Sequence, residues 1–172
     1  MKKFFFSWII AICSLGGWAQ EDRCGNFVIQ NDAVCWEYIY VDSTKTSNDI
    51  REYFYAMDII DNAHDFNNRI IASMDSFRPN YKAAGYTYAT VPLYISRSGG
   101  FSGKVVIEIS DFQYKVTLSK IIIKENRNNA LFDSDSSFDD IAYNFKKHRF
   151  KTLFPEGGAI LDDLFKSKFQ IK

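Results

Sequence analysis

The sequence predicts an α+β domain: a curved antiparallel β-sheet of about five strands, packed against an N-terminal helix and closed by C-terminal helices. Three observations carry this. Residues 33–62 run from an apolar strand pattern through a polar turn into an amphipathic helix pattern. Residues 104–110 and 114–124 alternate apolar and polar side chains, as in an antiparallel sheet with one solvated face. The chain is also rich in aromatics, with 16 Phe, 10 Tyr and 3 Trp, side chains that favour pleated, half-buried surfaces. Its 172 residues suit one domain, at roughly 100–200 residues per domain.

That domain is expected over residues 33–172. Before it, residues 1–19 read as a secretory signal peptide. Lys2 and Lys3 form a basic start, an apolar run follows from Phe4 to Leu15, and Gly17 and Ala19 flank Trp18 before a cut at Gln20. The apolar run is shorter than the ~20 residues a spanning helix needs, so no stable membrane insertion is expected after cleavage. Cys13 lies inside that run behind Ile12, where a lipidation signal would place a small residue. Residues 20–32 read as a flexible lead-in with room for one short strand.

From residue 33 the elements follow in order. Val34, Trp36, Tyr38 and Tyr40 share one strand face, and Cys35, Ile39 and Val41 the other, with Glu37 the polar exception. Thr46 or Ser47 is placed to cap a helix over 48–61, with Ile50, Phe54 and Met57 on its apolar stripe. Strands are expected at 69–77 and 85–96, with Pro92 marking an edge, bulge or break in the second. After the 104–124 hairpin, residues 125–137 read as a loop. Helices are expected at 138–149 and 158–169. In the first, Asp139 and Asp140 open the helix and Lys146, Lys147 and Arg149 close it, an order that suits the helix dipole.

Charge excludes some functions. The chain carries 21 basic and 21 acidic side chains, which gives no basic face for nucleic acid and no pull toward an anionic membrane. Motifs exclude others. Ser98 to Lys104 lacks the first glycine and the final Ser or Thr of a phosphate-binding loop. Asp133 to Ser137 resembles the start of a calcium loop but has Phe138 and Asn144 where Gly and Glu belong. Asp58, Asp61, His64 and Asp65 fall at helical spacings, yet a solvated helix end explains them more simply than a metal site. No G-x-S-x-G elbow is present, and only His64 and His148 could act as bases of that type. The reading is therefore non-enzymatic, with no metal and no cofactor.

Cys24 and Cys35 remain after leader cleavage and form a disulfide candidate in an oxidising compartment; the alternative is one buried and one exposed free thiol. The ligand-like stretch is 81–94, with Tyr81, Tyr86, Tyr88 and Tyr94, whose apolar bodies and polar tips suit sugar or peptide contact. Packing under the helices is the plainer role for the same rings. Tyr53, on the helix that would wall a cleft, completes the candidate set.

Several segments between Trp36 and Lys124 carry a family resemblance. They are Tyr40-Val41-Asp42, Ser47-Asn48-Asp49-Ile50 with Tyr53, Arg69-Ile70-Ile71, and the hairpin Asp111-Phe112-Gln113-Tyr114-Lys115-Val116. Together they resemble a family of secreted bacterial domains of unknown function described as having a TATA-binding-protein-like (helix-grip-type) fold. The resemblance implies that fold and an exported protein, and it carries over no catalytic residue. The function expected is that of a periplasmic or cell-surface binding module for a small apolar ligand, a glycan or an envelope protein. A hydrolase acting on envelope material and a structural envelope subunit are the alternatives.

Overall fold

A computed structural model describes residues 23–126 and 134–171. The leader at 1–19 and the Asp133 end of the calcium-like run lie outside the described residues. The strands are β1 (Arg23–Cys24), β2 (Phe27–Gln30), β3 (Ala33–Val41), β4 (Ile60–Phe66), β5 (Arg69–Phe77), β6 (Phe101–Ser110), β7 (Gln113–Ile123), β8 (Ser136–Ser137), β9 (Tyr143–Asn144) and β10 (Arg149–Phe150). The helices are α1 (Ser47–Tyr55), α2 (Leu93–Ser96), α3 (Asp139–Ala142) and α4 (Phe154–Phe169). The class is α+β.

Among the described residues the main sheet has eight strands in the order β1-β2-β3-β7-β6-β5-β4, with β8 beside β7 and every pair antiparallel. Its size corrects the expectation of about five strands. Two parts of the chain account for the difference. Residues 23–30, expected within a flexible lead-in, form β1 and β2, and Phe27 is fully buried against Phe154 and Phe138. Residues 60–66, expected to continue the helix or trail from it, form the edge strand β4.

The helix ends early for a packing reason. Met57 and Ile59 are both buried. Residues two apart cannot share a helix face, but an extended chain with a turn can bury both. At its start α1 is well specified. Asp49 N donates to Thr46 Oγ1 at 3.3 Å and Thr46 N donates to Asp49 Oδ2 at 2.8 Å, a reciprocal capping box.

Helices α1, α2, α3 and α4 all contribute to the core on one face of the sheet. There Trp36, Ile70, Val105, Ile107, Val116 and Leu118 are buried beneath Ile50, Phe54, Leu161, Phe165 and Phe169. The opposite face alternates charged pairs, such as Arg69 with Glu108 and Lys115 with Glu37. Three register shifts interrupt the ladders, and the residues Asn62, Ser76 and Lys120 beside them have positive φ of 51°, 48° and 51°. Bulges of this kind bend a sheet, here around α4.

Helix α4 is held by side-chain bonds as well as by packing. Asp162 is buried and accepts from Trp36 Nε1 at 2.7 Å and from Asn26 Nδ2 at 2.9 Å, and it pairs with Lys166 Nζ at 3.0 Å. Three tyrosine hydroxyls clamp its C-terminal end. Tyr40 donates to Lys166 O, Tyr114 to Phe169 O and Tyr53 to Gln170 O, each at 2.9 Å. The bonds to Phe169 O and Gln170 O supply partners for carbonyls at the helix end, where no further turn follows, while Lys166 O also accepts from the Gln170 backbone N–H at 3.1 Å.

Two other expectations give way. Residues 85–96 form no strand, because the Thr87 and Thr90 hydroxyls and amides bond one another and close a local turn before α2. The expected 138–149 helix stops after Ala142. Continued as a helix, it would turn Tyr143 away from the face that buries Phe138 and Ala142. The extended chain instead buries Tyr143 and pairs it with Phe150 in a two-stranded ribbon.

Candidate functional site

The ribbon of β9 and β10 stands over the N-terminal end of α4. Phe150, in β10, stacks on Phe154 with ring centroids 5.1 Å apart and planes at 11°. Phe154 is itself fixed edge-on to Phe27 and Phe138. The ribbon is fastened at its other side by Asp32, in the β2–β3 turn. Asp32 Oδ1 accepts from the Tyr143 hydroxyl at 2.8 Å and lies 3.1 Å from His148 Nδ1. The Tyr143 hydroxyl, first, and the His148 ring, second, hold the Asp32 carboxyl below its ordinary range.

Between ribbon, α2 and α4 lies a cavity of about 550 Å³. Its walls include Tyr94, Ile141, Phe150 and Phe154, and its rim carries Lys147, Arg149 and Lys151. A volume of this size falls within the range of small-molecule sites, and an apolar wall with a few polar tips is their usual lining. Lys151 donates through Nζ to the Asp140 carbonyl. Lys147 and Arg149 make no ion pair among the described residues.

A second hollow of about 440 Å³ lies between α1, the end of β5 and α4, lined by Tyr53, Phe77, Arg78, Asn80 and Lys168 among others. It sits on the flank of the helix–sheet interface. The interface itself is filled by Ile50 and Phe54, with Phe54 edge-on to Tyr114.

The five tyrosines singled out from the sequence do not converge. Tyr53 borders the smaller hollow and Tyr94 the larger cavity. Tyr81 packs half-buried against the core. Tyr86 donates to Asp163 Oδ2 at 2.8 Å. Tyr88 is half exposed, accepts a bond from Arg97 Nε and lies under the Arg97 guanidinium, 5.7 Å from the ring centroid. Tyr86 and Tyr88 therefore share no strand face, and the platform expected of them is absent. The Tyr94 hydroxyl is buried without a hydrogen-bond partner among the described residues, and burial pushes its pKa up.

The disulfide expectation is corrected. Cys24 pairs with Phe27, and Phe27 with Trp36, so Cys24 lies on the helix-covered face. Cys35 pairs with Val28 and points to the other face. Both thiols are free. Burial raises the pKa of each, that of Cys35 to about 11.

Among the described residues, no three His, Cys, Asp or Glu side chains gather where they could hold a metal ion. Asp58 bonds Lys168 Nζ at 2.8 Å, Asp65 bonds Arg51 Nε at 2.7 Å, and His64 stands in β4. Helix α1 ends at Tyr55, before Asp58, so the alignment that their spacing would allow on a helix does not arise.

Sequence reasoning passed over Lys147, Arg149 and Phe150. Its account of the two cations was a helix C-terminus, which the ribbon replaces. The signal was present: residues 141–155 hold Lys146, Lys147, Arg149 and Lys151 with no carboxylate.

No family model matches the chain, and no curated protein does. Among solved structures it is similar to a TBP-like protein from Parabacteroides distasonis ATCC 8503, with a TM-score of 0.46 and 15% sequence identity over 81% of this chain and 92% of that one. The architecture described above rests on this chain's own strand order and packing.

Proposed function

We propose that this protein is an exported, non-enzymatic binding module whose small-molecule ligand occupies the cavity between the β9–β10 ribbon and α4. The observation that carries the reading is the lining of that cavity: aromatic and aliphatic walls anchored in the core, with amide and cationic tips at the rim. Phe154 cannot move without disturbing Phe27 and Phe138, so the apolar wall is preformed. Binding to a preformed site avoids the ordering cost that weakens flexible ones. The leader features of residues 1–19 support a periplasmic or cell-surface location.

Native mass spectrometry of the protein purified from the envelope of its own cells tests this. The expected result is a bound small molecule that is lost on denaturation. Thr152 is exposed on the cavity rim, so Thr152→Trp fills the opening without touching the core. That variant should fold and carry no ligand. A bare mass for the unaltered protein, or a ligand retained equally by Thr152→Trp, contradicts the proposal.

A further inference from the structure

We infer that the cavity under the ribbon selects a small anionic amphiphile: a molecule with an apolar body and one carboxylate, sulfate or phosphate head. This rests on the binding reading above and adds the chemistry of the ligand. Three observations lead to it.

The first is charge. The whole chain is formally neutral, yet residues 141–155 carry four cations and no carboxylate. Three of those cations, Lys147, Arg149 and Lys151, border the cavity. The nearby Asp140 carboxyl borders an adjoining hollow with Lys146 and is not part of this lining. The Asp32 carboxylate is occupied by Tyr143 and His148.

The second is pairing. Arg51, Arg69, Lys115, Lys124, Lys166 and Lys168 each face a carboxylate within the fold. Lys147 and Arg149 face none among the described residues, nor do Lys45, Lys82, Lys104 and Lys120, but of these six only Lys147 and Arg149 border the cavity. A helix C-terminus would account for a run of cations, but α3 ends at Ala142 and the cations sit on a ribbon and its turn. Both are exposed beside the cavity, and no carboxylate of the described residues pairs with either.

The third is the join between rim and wall. Arg149 and Phe150 are adjacent in β10, and both contribute to the cavity, one as a charge and one as a ring stacked on Phe154. An apolar body against Phe150, Phe154 and Ile141 places an attached head at the level of Lys147 and Arg149. A guanidinium there can meet a carboxylate or phosphate with two parallel hydrogen bonds.

Calorimetric titration with decanoate, decanol and decyltrimethylammonium, each below its micellar range, separates the contributions. Decanoate should bind, decanol should bind at least roughly tenfold more weakly, and decyltrimethylammonium should not bind, since a hydrogen bond to a charged group is worth about one to two decades in affinity. Lys147→Glu/Arg149→Glu exchanges exposed side chains. It should leave the melting temperature unchanged, weaken decanoate by roughly tenfold or more, and remove the preference over decanol. Phe150→Ala should weaken decanoate and decanol alike. Decanol binding as tightly as decanoate overturns the inference while leaving a binding cavity in place. So does decanoate binding that the charge reversal does not change. Failure of all three probes also overturns it, and a ligand retained in native mass spectrometry would then still uphold the binding reading by itself.

Discussion

The Trp36 indole donates to Asp162 Oδ1 at 2.7 Å, joining the centre of the sheet to the middle of α4 across 126 residues of sequence. Asp162 is 5% exposed and also serves Asn26 and Lys166. One carboxylate thus ties the N-terminal hairpin, the sheet and the last helix together. Gly25, at φ +61°, has no side chain because a Cβ there would stand 2.9 Å from Asp162 Oδ2.

Asp162→Ala should therefore destabilise the protein by ~3–5 kcal/mol, since it strands a buried indole N–H and a part-buried amide and ammonium. Lys166→Ala, which removes a partly exposed partner, should cost about 1 kcal/mol or less. Urea unfolding of both variants measures the difference. Equal losses would mean that the carboxylate is not the tie described.

Gly157→Ala should destabilise α4 although alanine is the better helix former by ~1 kcal/mol. The added carbon would lie 2.2 Å from Tyr94 Oη and 2.7 Å from Pro92 Cγ. Overpacking of this kind costs ~1–3 kcal/mol. In a Tyr94→Phe background the loss should shrink, because the hydroxyl in the way is gone. A stabilised Gly157→Ala protein in thermal unfolding would contradict the packing of α2 on α4.

Cys24 and Cys35 should both be found as thiols. Alkylation after denaturation, without reductant, should modify each of them. In the folded protein Cys35 should resist alkylation at neutral pH, being buried with its pKa raised to about 11. A bridged mass would require β1 to leave β2, because β2 lies between the two cysteines and holds their strands about 10 Å apart, beyond the reach of a disulfide.

Acid should weaken the fold below about pH 4. The Thr46 backbone N–H, first, lowers the pKa of Asp49, and the Lys168 ammonium lowers that of Asp58. A carboxylate depressed in this way adds stability above its unfolded pKa of about 3.9, and the contribution is lost as pH falls through the lower folded value. Asp49→Asn keeps an acceptor at the cap but removes the titration, so its melting temperature should fall less steeply with acid. Parallel curves for the two proteins would show that the cap carries no charge-linked stability.

Much of the fold was legible in the sequence because it depends on local pattern. The alternation at Val105, Ile107 and Ile109 and at Tyr114, Val116 and Leu118 became the central hairpin. Thr46 and Asp49 marked the start of α1, and the Ile160–Leu164 spacing the body of α4. What was not legible depends on long-range partners. Phe27 makes β2 a strand only because Phe154 and Phe138 are there to receive it. Tyr143 leaves the helical path for a hydrogen bond to Asp32, 111 residues away. The Tyr81–Tyr94 stretch had strand composition, but β6 already has β5 and β7 on its two edges. The candidate site followed the same division. Tyr94 was visible as an aromatic, whereas Phe150 and Arg149 gained meaning only once the ribbon formed over α4.

The most direct test of the central claim is an experimental structure of the protein as isolated from its own envelope. The account expects a non-protein molecule lying against Phe150 and Ile141 with its charged end at Lys147 or Arg149. A molecule found instead in the hollow beside Tyr53, or a cavity closed by its own side chains, would contradict it.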